Sequence, residues 1–163
     1  MATEAQYTCF KEAFDREVKR HERLIERGKV YLSLVTLYLG LLGVAADKVI
    51  PKFQQSTLVS VAYLLSLGLF FLALAMVVAA LGIYSYVYPT DLKRVIDNLG
   101  DAEPSDAEFF DDRMVELAAA FHINQDADGK RATYLWYASW FMLAGMFSQA
   151  LVLSSLTFLK SAG

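Results

Sequence analysis

The sequence predicts an all-α integral membrane protein, with three transmembrane helices carrying a cytoplasmic helical bundle. Three observations predict it. Residues 30–46, 57–88 and 134–159 contain no Asp, Glu, Lys or Arg at all. The chain has only 163 residues and is 56% hydrophobic, with a mean hydropathy of +0.35. A soluble domain this short keeps charge on the outer face of nearly every helix, so three uncharged runs exceed what its core could bury. Third, the remaining charges are clustered between those runs.

Residues 1–29 read as a cytoplasmic amphipathic helix. Tyr7, Phe10, Phe14, Val18, His21 and Ile25 recur at three- and four-residue steps, giving one apolar stripe on a charged surface. Glu12 with Arg16 and Asp15 with Lys19 lie four apart on its flanks. A secretory signal has a short basic start, whereas basic and acidic residues interleave here, so the run that follows is read as retained.

That run, 30–46, is the first span. Its length of about 17 residues is the lower limit for crossing hydrocarbon. An external loop at 47–56 leads to the second span, 57–88. At about 48 Å as helix it exceeds the roughly 30 Å hydrocarbon layer, and only isolated Gly68 and Gly82 interrupt it. It is expected to be one long helix stopped by Pro89.

A cytoplasmic helical insert occupies 89–133. "TDLKRVIDNLG" reads as a short amphipathic helix, and Ser105 with Glu108 makes a capping box ahead of Phe109, Phe110, Met114, Leu117 and Phe121. The polar run around Gly129 is no obligatory break, so this helix can continue into the third span, 134–159. A tail at 160–163 ends the chain.

Positive charge sets the orientation. Lys48, Lys52 and Lys160 lie on one side, and the other twelve of the fifteen Lys and Arg lie with the amino terminus. The amino terminus is therefore cytoplasmic and the carboxyl terminus external. Tyr31, Tyr84, Tyr86, Tyr88, Tyr134, Trp136, Tyr137 and Trp140 fall near the cytoplasmic ends of the spans, where amphipathic rings favour the headgroup level.

Chemistry-bearing motifs are sparse. One cysteine, Cys9, gives no thiolate metal cluster, and His21 and His122 lie far apart, so no metal or cofactor is expected. Arg16 and His21 have the spacing that resembles the catalytic pair of HEPN-type ribonucleases. In so Arg-rich a helix this spacing arises by chance, and no catalytic residue or enzymatic activity is assigned. The spans hold no ionisable group at depth, which disfavours pumps, proton relays and voltage sensors.

Small and hydroxylated residues at helical spacing mark packing seams. Ser33, Thr36, Gly40 and Gly43 share a face of the first span. In the second, Ala62, Ser66, Ala73 and Ala80 form one seam, and Gly68, Ala75, Ala79 and Gly82 another on nearly the opposite side. In the third, Ser148, Gln149 and Ser155 are candidates to line a polar path at the centre of a homo-oligomer. One three-helix protomer is too small to enclose a channel.

"LAAAFHINQDADGKRATYLWYA" places Asn124, Asp128, Arg131, Leu135 and Ala138 on a rhythm that leads from a polar helix into a span. In this layout the chain resembles the small multipass effectors of bacterial anti-phage systems, the SLATT and Pycsar-type transmembrane effectors. The resemblance implies a bacterial inner-membrane protein, silent until triggered, that assembles to breach or depolarise the membrane. From Asp91 to Lys130 acids far outnumber bases, a poor surface for nucleic acid. Asp106, Glu108, Asp111 and Asp112 are instead candidates to bind a cytoplasmic protein partner. The alternative function is a non-conducting membrane scaffold that recruits a partner through the same acidic helices.

Overall fold

A computed structural model describes the backbone of residues 4–52, 56–83, 86–88 and 106–161, with the side chains of 5–51, 56–83, 86–88 and 109–155. It consists of α1 (Glu4–Val49), a 3₁₀ turn (Ile50–Lys52), α2 (Thr57–Leu81) and α3 (Asp106–Ser161). No strand occurs among the described residues. Each of the three α-helices contains a stretch long and apolar enough to cross a membrane. The short helix expected in "TDLKRVIDNLG" and the capping box at Ser105 lie outside the described residues.

Two helix limits are informative. α3 runs unbroken for 56 residues through Gly129, so the polar run does not interrupt it. α2 ends at Leu81 and not at Tyr88. Pro89 therefore does not stop it. Gly82 turns its N–H back to Val78 O at 2.8 Å, and Arg131 Nε donates to Ala80 O at 3.1 Å. A guanidinium there also suits the negative end of the helix dipole. Further on, the N–H and C=O of Val87 are both taken by the Asn124 amide, so neither is available to prolong a helix. At the other end Ser56, in extended conformation, caps α2 by accepting from Val59 N.

Burial follows a seven-residue period. On α1 the buried residues include Phe14, His21, Gly28, Val35, Leu42 and Val49; on α3, Leu117, Asn124, Arg131, Ala138, Gly145 and Val152. On α2 they include Val59, Ser66, Ala73 and Ala80, alternating with Tyr63, Phe70 and Val77. Seven residues span two turns only if each turn takes 3.5, so helices that keep such a seam wrap left-handedly about one another.

The chain divides into two compact units. The apolar unit comprises Ile25–Gly82 and Arg131–Gly163. Its core gathers Val35, Leu42, Val49, Val59, Phe70, Ala73, Met142 and Val152. Phe70 is fully buried, with the Tyr38 ring stacked 5.2 Å from it. The ring fits because position 145 is glycine: a Cβ there would stand 3.0 Å from Phe70 Cε2. Three buried hydroxyls inside this core donate to backbone: Ser66 Oγ to Gly145 O at 3.0 Å, Ser148 Oγ to Ala62 O at 2.7 Å, and Tyr63 Oη to Leu42 O at 2.8 Å. The outside is apolar as well. Leu37, Val44, Leu64, Phe71, Leu143 and Phe147 are exposed, and only 11% of the apolar window of α1, and 28% of those of α2 and α3, is buried.

The polar unit comprises Met1–Leu24 and Ile83–Lys130. Phe14, Leu117 and Ala120 make its hydrophobic centre, flanked by Tyr7, Val18 and Phe121. Phe10, expected in the covered stripe, is exposed. Arg16, expected to pair with the Glu12 carboxylate, reaches the Glu12 carbonyl instead, with Nε at 3.3 Å.

Candidate functional site

The most unusual chemistry of the chain lies inside the polar unit. Glu17, His21, Asn124 and Asp128 are buried there, although polar and charged side chains are rarely buried without partners. Helical spacing aligns them in pairs: 17 and 21 are one turn apart on α1, and 124 and 128 one turn apart on α3. His21 Nδ1 lies 2.9 Å from Asp128 Oδ1, and Asp128 is wholly screened from solvent. Glu17 Oε1 is 3.4 Å from Arg20 Nη1.

A third segment completes the cluster. The Tyr86 ring packs on the His21 ring with centroids 4.0 Å apart, and Tyr88 lies 4.9 Å from Tyr86. Asn124 holds the next residue twice: its Oδ1 accepts from Val87 N and its Nδ2 donates to Val87 O, each at 2.8 Å. An amide side chain that matches both backbone groups acts as one rung of a sheet, which fixes residues 86–88 without a helix. The Tyr86 hydroxyl is buried without a hydrogen-bond partner among the described residues. Its pKa is pushed up to about 12, chiefly by burial, then by the negative charge that Tyr88, Asp128 and Glu17 place around it; the nearby Asn124 amide opposes this only weakly.

This arrangement binds chain to chain. Groups of three His, Cys, Asp or Glu arranged to hold a metal ion are absent among the described residues. Arg16 is exposed, with Nε toward the Glu12 carbonyl, and His21 is buried against Asp128. Tyr86, one of the rings expected at a headgroup level, packs over His21.

The other sequence-derived candidates divide by burial. Ser148 is buried, with its hydroxyl given to Ala62 O, whereas Gln149 and Ser155 are half-buried. Along α2 the seam of Ala62, Ser66, Ala73 and Ala80 is buried, and Gly68, Ala75, Ala79 and Gly82 are exposed. On α1 Ser33, Thr36, Gly40 and Gly43 are exposed. The two hydroxyls fold back onto Lys29 O and Leu32 O, and open space faces Gly40, Gly43 and Gly68. Asp111 and Asp112 are exposed on α3, and the side chains of Asp106 and Glu108 lie outside the described residues.

Sequence reasoning did not foresee the pairing of His21 with Asp128, the burial of Glu17 or the capping role of Arg131. A signal was present: Asn124, Asp128, Arg131, Leu135 and Ala138 step by four and three, the spacing of a buried seam, and all five are buried. No protein-family model, curated protein or solved structure matches the chain.

Proposed function

We propose that the chain is an integral membrane protein crossing the bacterial inner membrane three times, and that it acts as a homo-oligomeric pore-forming or membrane-disrupting effector in anti-phage defence. The observation that carries this is the apolar unit, whose outward faces bear Leu37, Val44, Leu64, Phe71 and Phe147 around an interior that is itself apolar and filled. Surfaces of that kind belong in lipid.

The filled interior bears on mechanism. With Phe70 seated against Gly145 and buried hydroxyls bonded to backbone, the interior formed by the described residues is filled. Conduction then requires several copies, which would meet through small-residue faces where backbones can approach closely. Gly40 and Gly43 on α1, and Gly68, Ala75 and Ala79 on α2, offer such faces exposed among the described residues. Gln149 and Ser155 are the polar groups that an assembled path would line with. A cytoplasmic protein that recognises the acidic start of α3 would supply the trigger.

The test is inducible expression followed with a membrane-potential dye, beside the oligomeric state in mild detergent. Depolarisation by an oligomer, lost on Gly40→Ile or Gly68→Ile together with the oligomer, is the expected result. A strict monomer that never depolarises the membrane under any trigger contradicts the pore and leaves the partner-recruiting scaffold.

A further inference from the structure

The exposed surface of α1 is divided lengthwise by chemistry. Arg16, Arg23, Val30, Leu37 and Val44 stand seven residues apart on one row, with Arg20 and Arg27 beside it, and all seven are exposed. The same row is therefore guanidinium above and bare aliphatic below. The acids of the helix keep to another face: seven-residue steps lead from Glu26 to Ser33 and Gly40, and from Glu22 through Lys29 to Thr36 and Gly43.

The arginines retain their charge. Arg16 and Arg23 direct Nε to the carbonyls of Glu12 and Lys19, at 3.3 and 3.1 Å, and a carbonyl does not neutralise a cation. Arg20 reaches Glu17 Oε1 at 3.4 Å, whereas Arg27 has no hydrogen-bond or ion-pair partner among the described residues. On α3, by contrast, the exposed Lys130 is held by Asp126 at 2.8 Å.

On the membrane reading proposed above, on which this inference rests, Val30, Leu37 and Val44 face hydrocarbon. Arg27 then stands about 4.5 Å above Val30 along the axis and Arg23 about 10 Å, against a headgroup layer roughly 5–8 Å deep. Helical side chains lean toward the amino terminus, which here lifts the Arg27 head away from hydrocarbon and into the headgroups. A guanidinium fork matches two oxygens of a phosphate.

We propose that this row of α1 binds an anionic phospholipid in the leaflet that α1 enters first, with the headgroup phosphate on Arg27 and Arg23 and an acyl chain along Val30 and Leu37. The occupant is a lipid because the row passes without a break from unneutralised guanidinium to exposed aliphatic, the two halves of such a molecule.

The test uses the full-length chain in phosphatidylcholine nanodiscs that carry a fixed fraction of either brominated phosphatidylglycerol or brominated phosphatidylcholine. A bimane on Val30→Cys in a Cys9→Ser background reports which lipid lies beside the row, since bromine quenches it. Phosphatidylglycerol is expected to be preferred about fivefold, the worth of one arginine at an anionic surface, and less so as salt rises. Combined Arg23→Gln and Arg27→Gln should abolish the preference, with helical circular dichroism checking the fold, and the same reporter at Ser33→Cys, on the other face, should show a weaker one. Equal quenching by the two lipids in the unsubstituted row, or a preference that survives the double arginine change, overturns the site. Absence of quenching by either lipid removes the membrane reading itself and the site with it.

Discussion

His21 Nδ1 and Asp128 Oδ1 meet at 2.9 Å across 107 residues of sequence, joining α1 to α3 inside the polar unit. The pair is buried, with 0% of the Asp128 side chain exposed. Buried partners of this kind are costly to separate, because each side chain offsets part of the desolvation of the other.

His21→Ala and Asp128→Ala should each destabilise the polar unit by about 3 kcal/mol, and the double change should cost much less than the sum. Chemical denaturation of the two single variants and the double variant measures this. Additive losses would mean that the two side chains do not act as a pair.

Tyr86 gives a pH dependence with a definite sign. Its phenol ionises at about 12 when folded, against an ordinary value of 10.0. Below the lower value both folded and unfolded chains hold the proton. As pH rises between the two, the unfolded chain releases it while the folded chain keeps it, so stability falls across that window. Denaturation midpoints measured through it should decline, and Tyr86→Phe should flatten the decline while leaving neutral-pH stability equal or slightly higher, since it removes a buried hydroxyl. An unchanged alkaline slope in Tyr86→Phe would assign the effect elsewhere.

Gly145 and Gly40 should respond oppositely to an added methyl group. Gly145→Ala drives a Cβ against Phe70 and should cost about 1–3 kcal/mol, relieved when combined with Phe70→Leu. Gly40 faces open space, so Gly40→Ala should change protomer stability by no more than about 0.5 kcal/mol. Unfolding in mixed micelles, read by far-ultraviolet circular dichroism, separates the two.

Ser148 and Gln149 are neighbours with different expected roles. Ser148→Ala loses the bond to Ala62 O and should cost about 1 kcal/mol of stability with no change in any conductance. Gln149→Leu should leave stability nearly unchanged and lower conductance in planar bilayers. The reverse assignment would place Ser148 on the path and Gln149 in the packing.

The three long helices were legible because charge is absent from long stretches, a signal carried by composition alone. The continuity of α3 through Gly129 was legible too, since one glycine costs a helix only about 1 kcal/mol. The end of α2 was not. Residues 82–88 are as free of charge as those before them, and the contacts that mark the end of the helix, Arg131 on Ala80 O and Asn124 on Val87, are made from positions more than thirty residues away. The polar cluster was hidden for a similar reason. Glu17 looks like one more surface charge among many on α1, and only the facing residues of α3 distinguish it.

The central claim is that the helices cross a bilayer three times, leaving the two ends of the chain on opposite sides. Cys9 is exposed and is the single cysteine, which makes it a reporter for the amino terminus; Ala162→Cys in a Cys9→Ser background reports the other end. With a membrane-impermeant maleimide on intact spheroplasts, the thiol at 162 should react at once and Cys9 only after the membrane is permeabilised. Equal reactivity of the two thiols before permeabilisation, or protection of both, would contradict three crossings.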